Sequence, residues 1–246
     1  MSLMSNREAK ILVLVEGAKT DIGLMNHLFH VYEMEDKYEI VSYNTEIYTL
    51  YNSMFRGKNP ADFDLLLHLK EREPCTAKKL IFNEIYAEIL LIFDLDPQDQ
   101  KFSPTAIRDM LNYFSESTDM GKLYINYPMI EAFYHMKSIP DTDYDMYTVR
   151  MSELQPKSKY KQRVNKENRN RDYKKFAINK HECSIVITQN ISKAWHITGQ
   201  AADTLIPNPL DILNAQLTKI CSEEAISVLC TCAFYIAEYD PKLLEN

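Results

Sequence analysis

The chain has 246 residues, 46% hydrophobic and 26% charged, ordinary globular values that allow one sizeable core with a smaller helical addition. Five glycines argue against a Gly-rich sandwich or a disordered chain, so helix is expected to dominate. No apolar run reaches the roughly 18 residues that cross a bilayer, and the polar start MSLMSNREAK lacks a signal-peptide stretch, so a cytoplasmic protein without a membrane partner is expected.

Strand and helix alternate through the first 140 residues. AKILVLVE is a continuous apolar run of strand length, ending on Glu16 and Gly17. TDIGLMNHLFHVYEM follows with Ile22, Met25, Leu28, Phe29 and Tyr32 at helical spacing and Thr20 as N-cap. KYEIVSYN reads as a second strand, and TEIYTLYNSMF and ADFDLLLHLKERE as helices inserted at about 45–85. AEILLIFDLD is another apolar strand ending in acids. Ser103 and Pro104 then open a helix, GKLYINYP is a short strand stopped by Pro128, and MIEAFYHMKS reads as a helix.

Strands buried on both faces and separated by helices predict an α/β fold with a mainly parallel, Rossmann-like sheet over residues 8–150. Residues 151–246 are expected to form a basic segment and a C-terminal helical cap, with helices in KKFAINKHECSIVITQNISKAWHIT, PLDILNAQLTKI and EEAISVLCTCAFYIAEY. Trp195, Phe234 and Tyr235 read as packing residues of those helices. Five cysteines, an odd number without C-x-x-C spacing, suggest neither a disulfide framework nor a zinc knuckle. Cys230 and Cys232, two apart on an expected helix, should point to different sides. His27 and His30 lack a third ligand nearby, so a surface or core pair is the preferred reading.

The acidic strand ends carry the chemistry. On a strand, Asp94 and Asp96 point to one side while Leu95 points to the other. Two carboxylates at the mouth of an apolar sheet call for a divalent cation or a protonated member. In open parallel sheets the working crevice lies beyond the carboxyl ends of the strands, where Glu16, Asp94 and Asp96 all fall. Oxygen ligands without histidine suit Mg²⁺ or Mn²⁺. The plainer readings are a dipole-capping Glu16 and aspartates that start the turn in DLDPQDQ.

The Glu-Gly pair in VEGAKTD, followed by the Asp-x-Asp of IFDLD, resembles the Toprim fold of topoisomerases, primases and nucleases of the overcoming-lysogenization-defect type. Within it the chain is most similar to the RloB-like branch, bacterial proteins linked to phage defence and restriction loci, with INYPMIEAFYHM loosely matching that branch's next signature. The resemblance spans roughly residues 10 to 137 and implies a Mg²⁺-dependent phosphoryl-transfer site, with Glu16, Asp94 and Asp96 catalytic and metal-binding and Glu131 able to bind a second ion. Pro97 directly after the acid pair and the extra helices before the third strand depart from a minimal domain of this kind. The alternative expectation is a non-catalytic metal- or phosphate-binding module working with an ATPase or another defence protein; transfer to a nucleotide or tRNA is a third reading.

Residues 155–180 hold ten Lys or Arg and two acids; removing that local +8 from the net −7 leaves −15 on the other 220 residues. Lys157, Lys159, Lys161, Arg163, Arg169, Arg171, Lys174 and Lys175, interleaved with Tyr160 and Tyr173, suit DNA or RNA through phosphate neutralisation and base stacking. A solvated connector is the alternative. Lys19 and Lys101, close in sequence to the acids, read as exposed counter-charges in preference to phosphate ligands. Glu131 and His135, four apart, read as an intrahelical pair.

Overall fold

The computed structural model describes residues 10–57, 59–201 and 204–245, with the side chains at 157 and 158 outside that description. The polar N-terminal start, including residues 8 and 9 of the expected first domain, lies outside the described residues.

The first half builds an α/β sheet. Its elements are β1 (Lys10–Val15), α1 (Thr20–Val31), β2 (Tyr38–Ser42), α2 (Ile47–Phe55), α3 (Leu65–Arg72), β3 (Tyr86–Asp94), α4 (Pro104–Tyr113), β4 (Ser115–Glu116) and β5 (Gly121–Asn126). The order is β2-β1-β3-β5-β4, parallel throughout except for β4, which runs antiparallel to β5. Ile11 to Val15 are all buried, the consequence of helices covering both faces of a central strand. Burying each such side chain stabilises the sheet by roughly 1.5–3 kcal/mol. The chain leaves β1 toward β2 on one side, then returns to place β3 on the other, so the strand order reverses between β1 and β3. A crevice opens beyond the carboxyl ends of strands at such a reversal.

Local signals explain the helix starts. Ser103 Oγ accepts the Ala106 N–H at 3.2 Å with Pro104 in the first turn, as expected. Helix α1 departs from expectation: it begins at Thr20, and Lys19 at its N-cap makes no side-chain capping bond. Instead, Asp21 reaches back and accepts the Gly17 N–H at 2.9 Å. A Cβ at Gly17 would stand 2.7 Å from Asp21 Oδ2, so a larger residue there would push the Asp21 carboxylate aside.

The second half is knitted into the sheet. It contains a 3₁₀ turn (Ile130–Tyr134), β6 (Thr148–Arg150), α5 (Lys157–Glu167), α6 (Lys180–Thr198), α7 (Pro209–Glu223), β7 (Ala225–Ser227) and α8 (Phe234–Tyr239). Strand β6 pairs antiparallel with β7, and Leu229 bridges Tyr127 just past β5. The expected helix over EEAISVLCTCAFYIAEY is therefore a correction: Glu223 ends α7, strand and extended chain follow, and α-helix resumes only at Phe234–Tyr239. β-branched Ile226 and Val228 favour extension, and partners from β6, Tyr147 and Tyr127 satisfy the backbone. In that extended segment Cys230 and Cys232 share a side, with their sulfurs 3.3 Å apart, contrary to the helical expectation. Phe234 and Tyr235 are buried, as read from the sequence. MIEAFYHMKS also departs from expectation, forming only the short 3₁₀ turn before Pro140.

Candidate functional site

Glu16 and Asp94 stand on the two strands that flank the reversal. Glu16 directly follows β1, where its backbone N–H still donates to Ile92 O at 3.1 Å. Its Oε2 accepts the Asp94 N–H at 3.2 Å, so the acid of one strand is tied to the end of the next. Asp94 is the last residue of β3 and lies opposite Asn126 of β5 in register.

Asp96 corrects the alternation argument. The strand stops at Asp94, and Asp96 adopts a left-handed backbone (φ 44°), so the two aspartates do not share a strand face. A non-glycine residue in that region costs about 1 kcal/mol, which Asp tolerates better than most. The turn is fixed by backbone bonds from Leu95 N–H to Asn126 O (3.0 Å) and Asp96 N–H to Pro128 O (3.2 Å). The Tyr48 hydroxyl donates to Leu95 O at 2.8 Å. Asp96 is buried, and its Oδ1 accepts from Gln98 Nε2 at 2.8 Å.

The acids nevertheless form one electrostatic unit. Burial pushes the Asp94 carboxyl well above its ordinary value of 3.8, and Glu16, Asp96, Asp21 and Glu131 push it further. Glu131, 1% exposed, is held at the 3₁₀ turn and pairs through Oε1 with Lys161 Nζ at 2.8 Å. Its Oε2 has no hydrogen-bond partner among the described residues. Burial works to lower the Lys161 ammonium, but Glu131 and, further off, Asp94 and Asp21 outweigh it and hold the group above its ordinary value. Asp21 is the acid that sequence reading passed over. Its signal was present: an aspartate inside the first turn of an amphipathic helix, five residues after Glu16.

These residues suit a hard cation by chemistry. A buried anionic oxygen without a partner at Glu131 and a carboxyl raised by four carboxylates at Asp94 would both be relieved by positive charge. Among the described residues, however, no three His, Cys, Asp or Glu side chains are grouped closely enough to hold a metal ion as they stand. The expected meeting of Glu16, Asp94 and Asp96 is thus a shared field and a crevice, not a closed ligand shell.

No protein-family model, curated protein or solved structure matches the chain.

The predicted basic face is divided. Helix α5 turns Lys161 inward to Glu131, and Arg163 bonds Glu153 (2.8 Å) and Glu167 (3.3 Å). Arg169 pairs with Glu182 at 2.7 Å, and Lys175 lies 3.8 Å from Asp172. These four positions, expected to meet phosphates, lie against protein carboxylates: Glu131, Glu153 and Glu182 from the rest of the chain, and Glu167 and Asp172 from the segment itself. Lys159, Arg171 and Lys174 are exposed. The Lys157 side chain lies outside the described residues. Tyr160 is fully buried and cannot stack on a base, whereas Tyr173 stacks on Tyr134 with ring centroids 4.4 Å apart. Lys101 pairs with Glu46 at 2.8 Å.

The histidine readings resolve differently. His27 Nε2 bonds Ala177 O at 2.7 Å, while His30 contacts Glu35, so the two do not share a ligand site. His135 does not pair with Glu131 as expected; the 3₁₀ turn sends it into the core against Tyr160 and Glu167, each at 3.2 Å. Burial lowers its pKa to about 4, and the Arg163 and Lys193 charges add to this against the pull of Glu167. A depressed histidine contributes stability that is present above its unfolded value of 6.5 and lost as pH falls through about 4. Urea unfolding should therefore show a loss of up to about 3 kcal/mol across that window. In His135→Gln the loss over the same window should be smaller; an identical pH profile would contradict the assignment.

Proposed function

We propose that this chain is a Toprim-type, Mg²⁺-dependent phosphodiester hydrolase acting on nucleic acid, of the RloB-like branch with its bacterial defence context. The observation that carries the reading is the gathering of Asp94 with Glu16, Asp96, Asp21 and Glu131 beyond the carboxyl ends of β1 and β3, where the strand order reverses. A structural acid cluster on a surface would be neutralised by arginines; here burial first, and then the neighbouring carboxylates, leave the Asp94 carboxyl raised.

Glu16, Asp94 and Asp96 would hold the ion, with Glu131 adding an oxygen, after side-chain rotation from the present arrangement. A bound Mg²⁺ supplies polarisation of the phosphodiester, a more acidic water and charge compensation at the leaving oxygen. The chain's own groups do the rest. The Glu16 carboxylate is oriented by the Asp94 N–H, a fixed backbone donor that holds it toward the crevice. Asp94 is poised to hold a proton in the absence of metal and to release it when positive charge arrives. Lys161, kept cationic, places positive charge beside the buried acids and offsets repulsion of an incoming phosphate.

The test is cleavage of single- and double-stranded DNA and RNA with Mg²⁺ or Mn²⁺, compared with EDTA. Glu16→Gln should lower the divalent-dependent rate by at least about 10²-fold while leaving the far-UV circular dichroism spectrum in place. Calorimetry that shows ion binding with no turnover on any of these substrates would assign the non-catalytic module instead.

A further inference from the structure

A cleft of about 480 Å³ is lined among others by Lys19, Thr20, Tyr134, Tyr173, Lys174 and Phe176. It joins three parts of the chain distant in sequence: the first half of α1, the end of the 3₁₀ turn and the loop after α5. Chain connectivity and one hydrogen bond link the lining of the cleft to the acid cluster. Thr20 precedes Asp21 directly, and the Tyr173 hydroxyl donates to the backbone O of Lys161, the residue that pairs with Glu131. Glu131 also adds to the upward push that burial gives the Tyr173 phenol, so ring and acid share one field.

The chemistry of the lining is specific. Tyr173 is half-buried, stacked on the buried Tyr134 with an interplanar angle of 9°, and Phe176 packs edge-on against Tyr134. That makes a rigid aromatic wall. Lys19 and Lys174, both exposed, line the cleft, with His27 as a third basic residue. On a chain of net charge −7, two lysines beside an aromatic platform select a ligand with a flat π-face and negative charge.

We infer that this cleft binds one unpaired nucleotide of a single-stranded nucleic acid, its base against the Tyr173–Tyr134 wall and its phosphates toward Lys19 and Lys174. The inference rests on the reading of the acid site as acting on nucleic acid, and it names the substrate class: an unpaired strand in preference to a duplex. Two observations favour the single strand. A base offers its face to a ring only when it has left its own stack, which a duplex resists at a cost of a few kcal/mol. The acids are also recessed, with Glu131 and Asp96 each 1% exposed, so a phosphodiester reaches them by entering the crevice, as a flexible strand does and a rigid helix does not.

The test uses the full chain in EDTA, so that binding is read without chemistry. Fluorescence anisotropy would compare labelled 12-mers of oligo-dT and oligo-rU with a blunt duplex of the same length. The single strands should bind at least tenfold more tightly, and the DNA and RNA arms show whether the 2′-hydroxyl is read. Tyr173→Ala should weaken single-strand binding about 5- to 100-fold, while Tyr173→Phe, which keeps the stack, should stay within about twofold. The double variant Lys19→Ala/Lys174→Ala should flatten the plot of log K against log salt by about 1.4. Equal affinity for duplex and single strand, or unchanged binding in both Tyr173→Ala and the lysine double variant, would overturn the inference. The two readings part cleanly. Divalent-dependent cleavage with no effect of Tyr173→Ala leaves the hydrolase and removes this cleft; cleft-dependent binding in EDTA without cleavage in Mg²⁺ leaves the cleft and removes the hydrolase.

Discussion

Asp94→Asn is expected to abolish divalent-dependent cleavage and, at the same time, to make the metal-free protein more stable. Both effects follow from one arrangement. Burial and the Glu16, Asp96, Asp21 and Glu131 carboxylates hold the Asp94 carboxyl well above 3.8. A carboxyl whose folded value is raised contributes stability that is fully present below its unfolded value and is lost as pH rises through the folded one. Without metal, the Asp94 contribution should therefore decline as pH climbs from about 4 toward neutrality. Asparagine keeps the shape and removes the charge, so at pH 7 the variant should gain roughly 0.5–2 kcal/mol, the usual size of stability recovered when a strained functional group is neutralised. Saturating Mg²⁺ should reverse the ranking, raising the melting temperature of the native sequence and leaving Asp94→Asn nearly unmoved, because binding to the folded state alone stabilises by mass action. Differential scanning fluorimetry across pH 4 to 8, with and without Mg²⁺, reads both halves. A destabilised Asp94→Asn, or equal Mg²⁺ shifts in the two proteins, would mean that the carboxylates form a structural network with no vacancy for a cation.

The frame of the fold was legible because its signals are local. Five consecutive apolar residues before Glu16, and the long run before Asp94, have the length and composition of strands buried on both faces, and they form the central parallel strands of the sheet. Ser103 and Pro104 mark a helix start by chemistry that needs no tertiary help. What failed was long-range. The segment from Glu223 to Tyr239 has helical periodicity, but strand β6 and Tyr127 offer it backbone partners 75 or more residues away in sequence, and pairing prevails over propensity at Ile226 to Leu229. The site shows the same division. That Glu16 and Asp94 would each lie at the end of a strand follows from their positions in two apolar runs; that β1 and β3 are neighbours at the strand-order reversal does not. Asp96 was placed on the strand face because alternation was extended two residues too far, past the point where a left-handed residue ends it. Lys161 was assigned to phosphate because its sequence neighbours are basic, and no count of local charge reveals that one turn of α5 presses against a buried glutamate.

That contact yields the second large effect. Lys161→Met should destabilise the protein by about 2 kcal/mol: severing a fully buried ion pair costs about 3–5 kcal/mol, and the figure is discounted because the Lys161 side chain is 46% exposed and partly screened. The loss comes from Glu131, whose Oε2 already lacks a partner and whose Oε1 would lose the one it has. Adding Glu131→Gln to Lys161→Met should restore at least about 1 kcal/mol, since an amide can remain buried without a counter-charge at lower cost. A double-mutant cycle by urea unfolding measures that coupling; purely additive losses would show that the pair contributes nothing beyond packing. Divalent ion then separates a structural lysine from an internal stand-in for a cation. If Glu131 is a ligand, Mg²⁺ and the Lys161 ammonium compete for the same oxygen, and Lys161→Met should recover more stability on Mg²⁺ addition than the native sequence does, provided Glu131 is retained. The double variant, with the oxygen neutralised, should lose that extra response. A Mg²⁺ response that is the same in all three proteins would confine Glu131 to the fold and leave any ion to Glu16, Asp94 and Asp96 alone.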